Sequence, residues 1–360
     1  MTQAMGLILQ GGGALGAFEY GVVTELIEQG WEPKAVTGVS IGAINAAAVA
    51  GARDGDIAAS LHAMWNAITL PQLPWLPASQ QGNLSLLGNP NFWRSRTDYL
   101  GMAQWTSLCD TTPMHATLSR ICDFDQIADP GHMRVGVTAT DLHTGGPTTF
   151  SNYLSNDAHV SSGKHKSLLH RLTPDHILAS GSLPPGFPAT VIEGRSYWDG
   201  GLFSNTPLDA MLNLLNPDEI DGMKIFVVDL FPDHDLPAPA NLVDVQTRTV
   251  ALQYQNRFWD EYGGSAGLDQ FLDMLDGLDT LAGANKDGQG ALQKNPAFAW
   301  LMRLRALRNL EVITGRPFTS GADHDFSQYG VQGGYQAGRE AAARHVAKMD
   351  QQPGKLRSAA

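Results

Sequence analysis

The stretch Thr37-Gly38-Val39-Ser40-Ile41-Gly42-Ala43 sets a serine between two glycines, each two positions away. A G-x-S-x-G sequence between a short apolar run and a helical one reads as a strand-to-helix elbow that holds the serine hydroxyl in a tight, exposed turn. Gly38 and Gly42 are its elbow glycines, because only small neighbours fit there. Upstream, Ala35-Val36 is β-compatible. Downstream, Ile41, Ile44 and Ala48 recur at helical spacing, which places Ser40 at a helix N-terminus. Backbone N–H groups at such an end favour developing negative charge. Taken alone, the five residues fit a packing turn equally well, since Gly, Ser and Ala abound in this chain, so the neighbouring stretches decide.

Ahead of the elbow, Gly6-Leu7-Ile8-Leu9 is a short apolar run ending in Gln10-Gly11-Gly12-Gly13, a buried strand entering a glycine loop. Leu15, Phe18, Val22 and Leu26 then form one apolar helical stripe that closes near Gly30. Strand, glycine loop, helix, strand, elbow and helix in that order predict a parallel βαβ unit. Gly11-Gly12-Gly13-Ala14-Leu15-Gly16 also fits the G-x-G-x-x-G of a dinucleotide-binding turn. That fold wants an acidic residue about twenty positions on, at the end of the next strand, where this chain has Val39-Ser40. The loop is better read as bare backbone N–H groups facing the Ser40 hydroxyl. Acyl transfer needs donors ~3 Å from its oxyanion, and glycine lets the backbone come that close.

The 360 residues are enough for one large domain with additions. A hydrophobic share of 43% and a charged share of 17% are those of a folded chain, and 39 glycines with 20 prolines predict many loops. No run approaches the ~18 apolar residues of a membrane span, and Met1-Thr2-Gln3-Ala4-Met5 lacks the basic start of a secretory signal. The expectation is therefore a cytoplasmic protein. Its two cysteines, Cys109 and Cys122, are too few for a disulfide framework or a zinc site and read as free thiols. A formal charge of −12 argues against nucleic acid as a partner.

Further along, residues 71–106 are irregular, with Pro71, Pro74 and Pro77 beside Trp75, and with Phe92, Trp93, Tyr99 and Trp105 following. This is read as a surface excursion whose aromatics pack on the body, the alternative being a cap over an apolar pocket. Met133–Thr140 alternates as a strand and returns through Gly145-Gly146-Pro147; residues 151–167 read as loop. Thr173-Pro174-Asp175 starts a helix that runs to Ser180. Val191-Ile192 and Tyr197-Trp198 read as short strands, Leu208–Leu215 as a helix and Ile225–Leu230 as a buried strand. Beyond Pro232 the pattern is helical, over 244–262, 267–283, 297–312 and 331–349.

A serine hydroxyl needs a base to take its proton, and Asp199 in Asp199-Gly200-Gly201, after Tyr197-Trp198, is the leading candidate. A surface Asp-Gly turn is the competing reading of that triplet. Four separated motifs, however, stand in a familiar order. They are Gly11–Gly16, Gly38–Gly42, Ala179-Ser180 followed by Pro184 and Phe187-Pro188, and Asp199-Gly200-Gly201 with Asn205 and Pro207. In these, from about Met5 to Leu230, the chain resembles bacterial members of the patatin-like phospholipase family, and Asp325-Phe326-Ser327 through Glu340 is similar to the end of a bacterial subgroup.

The resemblance implies a three-layer α/β/α fold with a mainly parallel sheet, here over residues 1–232, with a mainly helical C-terminal extension over 233–360. It implies a Ser-Asp dyad without histidine, Ser40 as nucleophile and Asp199 as base, and an oxyanion hole from the amides of Gly11, Gly12 and Gly13. The reaction implied is hydrolysis of lipid carboxylic esters through an acyl-enzyme, with no metal or other cofactor. A desolvated site can raise an aspartate's pKa and make it a better base. One departure is Leu15, which stands where many members carry Arg or Lys, so a neutral ester is as compatible as a phospholipid.

Three alternatives remain open at this level. A conventional triad would use His324 in Asp323-His324-Asp325, which follows Ser40 and Asp199 in chain order. A binding protein of the same fold would hold lipid or acyl groups without turnover. Arg303, Arg305 and Arg308 on an amphipathic stretch would give peripheral contact with a lipid surface, against the plainer reading of buried leucines and solvated arginines. His165, His170 and His176 lack tight ligand spacing and read as solvated, and Asp141 and His143 read as hairpin residues. Oligomeric state is not legible in the sequence.

Overall fold

Strands form where the apolar runs are unbroken, and in the computed structural model most of them gather into one nine-stranded sheet, with a separate two-stranded pair. The structure describes residues 2–155, 166–232, 238–254, 264–284, 295–315, 319 and 321–351. In chain order the first half comprises β1 (Gln3–Leu9), α1 (Gly16–Glu28), β2 (Trp31–Gly38), α2 (Ile41–Ala50), α3 (Ile57–Ile68), α4 (Ala78–Gln81), β3 (Arg94–Ser95), β4 (Cys109–Asp110), α5 (Thr112–Ile121), α6 (Phe124–Ala128), β5 (Arg134–Asp141) and β6 (Gly146–Ser151). Then come β7 (Lys166–Leu169), α7 (Pro174–Ser180), β8 (Thr190–Ile192), β9 (Arg195–Asp199), α8 (Leu208–Leu214), β10 (Lys224–Asp229), α9 (Leu242–Tyr254), α10 (Gly264–Ala284), α11 (Pro296–Arg303), β11 (Leu310–Thr314) and α12 (Gln328–Gln351).

The main sheet runs β11-β10-β1-β2-β5-β6-β7, with β9 joined to β5 and β8 to β9. From β11 through β5 every pairing is parallel, while β6 and β9 meet β5 antiparallel. Strand period places alternate side chains on opposite faces: Met5, Leu7 and Leu9 enter one core with α1, α2 and α3, and Ile8 enters the other with α8 and α10. Helices therefore cover both faces, as a parallel sheet requires. Every residue of α2 is buried, which is the mark of a helix lying inside a domain rather than on it.

Register brings the two candidate chemical groups together. β2 lies along β5 as far as Gly38 opposite Val137. β6 holds the other edge of β5, so β9 takes the edge that β2 vacates, with Asp199 opposite Ala139. Had β2 continued two more residues, Ser40 would have reached that place. Instead the chain turns into α2 there, and Asp199 fills the slot beside the turn.

The chain beyond residue 232 does more than layer helices on this body. The stretch read as a helix over 297–312 ends its α-helix at Arg303, passes through a 3₁₀ turn and becomes the edge strand β11, parallel to β10. Its Leu310, Val312 and Ile313 suit a strand as well as a helix, and pairing with β10 decides. α12 packs closely on α1: a Cβ on Gly21 would lie 2.0 Å from Tyr335 O, and one on Gly338 would lie 2.1 Å from Phe18 O. Of the helix read over 244–262, the part after Tyr254 lies outside the described residues, as do 156–165 of the loop read over 151–167.

In the 71–106 segment Phe92 and Trp93 are buried against Phe187 and Phe326. Trp75, Leu87, Tyr99, Leu100 and Met102 stay exposed. Arg303 is wholly buried, donating to Leu212 O and Leu215 O, while Arg305 pairs with Asp221 and Asp279 and Arg308 with Asp273 and Asp276. This corrects the lipid-surface alternative for these arginines: Arg303 is spent on buried carbonyls, and acidic side chains, most of them on α10, already answer Arg305 and Arg308. Cys109 and Cys122 are free thiols, the latter buried. Among the described residues no helix is long and apolar enough to cross a membrane.

Candidate active site

Ser40 occupies the elbow with φ 55° and ψ −122°, a left-handed backbone that a side chain adopts only under constraint. The constraint is visible on both sides. A Cβ on Gly38 would lie 2.3 Å from Gly42 O, and one on Gly42 would lie 2.3 Å from Leu9 O, so neither position admits any side chain. The Ser40 N–H is held by Ser180, 3.1 Å from both its carbonyl and its Oγ, and Ser180 Oγ in turn donates to Thr138 O at 2.6 Å. Residue 180 thus pins the Ser40 backbone to β5.

Asp199 ends β9 with 2% of its surface exposed. Its backbone N–H donates to Ser182 O at 3.0 Å, and Thr140 Oγ1 donates to its carbonyl at 2.8 Å. Carboxylate oxygen Oδ1 accepts from Gly201 N–H at 2.7 Å. Oδ2 is buried and makes no hydrogen bond of ordinary geometry. Burial pushes the carboxyl up to about 6 from 3.8, against the opposing pull of the Ser40 hydroxyl and the Gly201 amide. The hydroxyl thus stands close enough to act on the carboxyl without a bond of standard geometry, a looseness usual in unliganded sites.

The glycine loop leaves β1 beside this pair, at the C-terminal edge of the parallel strands where open α/β sheets bind ligands. A Cβ on Gly11 would lie 2.9 Å from Ser40 Cβ. Asn205 clamps Gly11 twice, accepting from its N–H at 2.9 Å and donating to its carbonyl at 3.1 Å. The Gly11 amide is thereby committed, and of the three glycines read as oxyanion donors this leaves Gly12 and Gly13, whose amides donate to no acceptor among the described residues. Gln10 fixes the loop's root, donating to Thr206 Oγ1 at 2.7 Å and accepting from Leu230 N–H at 2.8 Å. Leu15 packs against the core.

Tyr254, from the extension, closes the other side. Its ring would lie 3.1 Å from a Cβ on Gly201, it packs 5.5 Å from Phe231, and Phe231 would meet a Cβ on Gly12 at 3.3 Å. Asn205, Ser180, Gln10 and Tyr254 are the site residues whose roles the sequence left unread. Asn205 and Ser180 stood inside recognisable motifs, whereas nothing local marks Gln10 or Tyr254.

His324 lies in a 3₁₀ turn against the loop, where a Cβ on Gly13 would meet Asp323 O at 2.1 Å. Its Nδ1 is 3.2 Å from Asp323 Oδ1, which raises its pKa, and neither Ser40 nor Asp199 hydrogen-bonds to it. His170 and His176 pack edge-on to Phe150, and His176 caps α7 through Thr173; His165 lies outside the described residues. Asp141 is buried against Arg195 and accepts from His143 N–H, closing its hairpin.

The family model of patatin-like phospholipases matches residues 7–212. The chain belongs to the patatin-like phospholipase family. Membership implies lipid acyl hydrolase activity, with lipids as the substrate class. Among solved structures the chain is similar to VipD from Legionella pneumophila, at 13% identity and a TM-score of 0.40, over 96% of this chain and 67% of that one. No curated protein matches it. The matched residues run from β1 through α8 and so contain the glycine loop, the elbow and Asp199.

Proposed function

We propose that this patatin-like chain hydrolyses carboxylic esters of lipids through an acyl-enzyme on Ser40, with Asp199 as base. The observation that carries the reading is the unclaimed, buried Oδ2 of Asp199 at the turn that presents Ser40. Gly201 holds Oδ1, so Oδ2 is the oxygen left to accept the serine proton. As Ser40 Oγ attacks the ester carbonyl, its proton passes to Asp199 and the carbonyl oxygen becomes an oxyanion. The free amides of Gly12 and Gly13 receive that charge, at fixed positions and without reorganisation. Collapse expels the alcohol, which takes the proton from Asp199. Water, deprotonated by the same carboxylate, then releases the acyl group from Ser40 as a carboxylic acid.

A base with a pKa of about 6 is ionised at neutral pH yet stronger than a solvated aspartate, which is the balance general-base catalysis favours. The dyad is preferred to a triad through His324 because that ring is engaged with Asp323 and not with Asp199. Leu15 supplies no cation for a phosphate, so uncharged esters fit the loop as well as phospholipids. Peripheral contact with lipid surfaces fits the exposed Tyr99, Leu100 and Met102. In this reading residues 1–232 form the acyl-hydrolase unit and 233–360 an extension that completes its sheet.

The test is steady-state hydrolysis of p-nitrophenyl esters of graded chain length, with and without a phospholipid series. Ser40→Ala and Asp199→Asn should each abolish turnover, and His324→Ala should retain it. Turnover surviving both dyad substitutions would reject the mechanism. A parent protein inert towards every ester would favour the acyl-binding alternative.

A further inference from the structure

Beneath the glycine loop lies an acid that the mechanism does not use. Glu19, in the first turn of α1, is 0% exposed. Its Oε2 accepts from Asn45 Nδ2 at 2.8 Å, and the same amide nitrogen donates to Gly16 O at 3.0 Å. The orientation of that amide is fixed by Trp65, whose indole N–H can only donate and lies 2.9 Å from Asn45 Oδ1. Both Asn45 hydrogens are therefore spent, one on Gly16 and one on Glu19. The backbone amide of Gln10 also faces the carboxyl. Oε1 is buried and has no partner.

Two pieces of the site meet on this side chain, Gln10 at the root of the loop and Asn45 on the helix that begins at the nucleophile, and Asn45 reaches on to Gly16 at the loop's far end. No cation answers the acid. The titratable or charged groups on the elements packed around it are Tyr20, Glu25 and Glu28 of α1, His62 of α3, Tyr329, Tyr335, Arg339, Glu340, Arg344, His345, Lys348 and Asp350 of α12, and Asp323, His324 and Asp325 behind the loop. His62 pairs with the Tyr20 hydroxyl, Arg339 with Glu25 and Glu28, and His324 with Asp323. Among the described residues none of these groups hydrogen-bonds to Glu19 or forms an ion pair with it. A carboxylate stripped of water without a counter-charge is so costly that it takes up a proton instead. Burial accordingly holds this carboxyl well above the usual range.

We propose that Glu19 is a neutral, protonated positioning residue that ties the glycine loop to the nucleophile's helix, and that its ionisation as pH rises loosens the tie. Its effect on turnover rests on the proposed role of the loop as oxyanion site; its effect on stability does not. Glu19 touches no reacting atom and acts through the loop backbone. Glu19→Gln preserves the bond to Asn45 through its own amide oxygen and cannot ionise, so it isolates the charge.

The sign follows from linkage. The unfolded carboxyl ionises near 4.5 and the folded one well above it. Between these values the folded chain holds the extra proton, so the group's contribution is intact below 4.5 and is lost as pH rises towards the folded value. Urea unfolding of the full chain from pH 5 to pH 10 should show the unfolding constant of the parent, relative to Glu19→Gln, growing up to tenfold per pH unit and then levelling. A ratio that stays flat across this range would overturn the proposal. Should the variant fail to fold, the infrared spectrum of the parent decides. As pH is raised, a protonated-carboxyl band should outlast the ionisation of Asp199, whose pKa is about 6; a spectrum in which no protonated-carboxyl band outlasts that of Asp199 overturns the proposal.

On the esters above, the parent's kcat should fall relative to Glu19→Gln only once pH passes the point at which the unfolding ratio levels, where the folded carboxyl ionises, with KM unchanged. Superimposable profiles beyond that point would overturn the positioning role. If no ester is turned over, the unfolding ratio still decides for or against a neutral Glu19.

Discussion

Asn205 grips Gly11 at both backbone atoms, accepting from its N–H at 2.9 Å and donating to its carbonyl at 3.1 Å. A side chain 194 positions away in the chain thus sets the orientation of the peptide from which the glycine loop departs. Asn205→Ala removes both bonds and leaves a buried donor and acceptor unmatched, at about 1–3 kcal/mol. Roughly a ten- to hundredfold fall in kcat is expected, with a lowered Tm and a smaller change in KM, measured by ester kinetics and thermal unfolding. Asn205→Asp should be similarly impaired because it cannot donate to the Gly11 carbonyl.

Ser180 holds the strained Ser40 backbone through its carbonyl and its hydroxyl. Ser180→Ala keeps the first contact and loses the second, along with the bond to Thr138 O. One neutral hydrogen bond is worth about 1 kcal/mol net, so kcat should drop on the order of tenfold while the fold persists. Parental kcat in this variant would show that the elbow is held without the hydroxyl.

Asp199 has a pKa raised by burial from 3.8 to about 6. A folded acid that binds its proton more tightly than the unfolded one is most favourable at low pH and loses stability as pH climbs from 3.8 to about 6. The ionised base is therefore held at a cost to the fold. Two consequences differ in sign. kcat/KM should rise with pH through an inflection near 6, and Asp199→Asn, although inactive, should be close to the parent in stability at pH 4 and more stable at pH 8, by on the order of 2 kcal/mol. Denaturant titrations at the two pH values check this, and an asparagine variant less stable at both would contradict it.

Arg305 and Arg308 face the acidic residues of α10. Reversing both to glutamate should lower Tm, because Asp273, Asp276 and Asp279 would then meet like charge, and should leave flotation with anionic liposomes unchanged. Loss of flotation without loss of Tm would restore the lipid-surface reading.

The first half of the fold was legible because its signals are local: unbroken apolar runs for β1 and β10, a helical stripe for α1, glycines where the elbow admits nothing larger. β11 was not. Leu310-Glu311-Val312-Ile313-Thr314 carries no period that separates strand from helix, and only the free edge of β10 settles it. Ser40 and Asp199 could be named from their motifs, yet their meeting depends on β2 ending opposite Val137 and β9 ending opposite Ala139, a register no single stretch encodes. The commitment of the Gly11 amide was equally invisible, since it requires Asn205 to arrive from beyond β9. Arg305 and Arg308 show the converse, basic residues whose acidic partners come largely from a helix about thirty residues upstream.

The central claim is that Ser40 carries the acyl group and Asp199 puts it there. The measurement that bears on it most directly is peptide-level mass analysis of protein quenched within the first turnover of a p-nitrophenyl ester. The account predicts one acyl adduct on the peptide containing Ser40, formed in step with p-nitrophenolate release, absent in Ser40→Ala and undetectable on the same timescale in Asp199→Asn. An adduct on any other residue, or one that forms at the parental rate in Asp199→Asn, would contradict it.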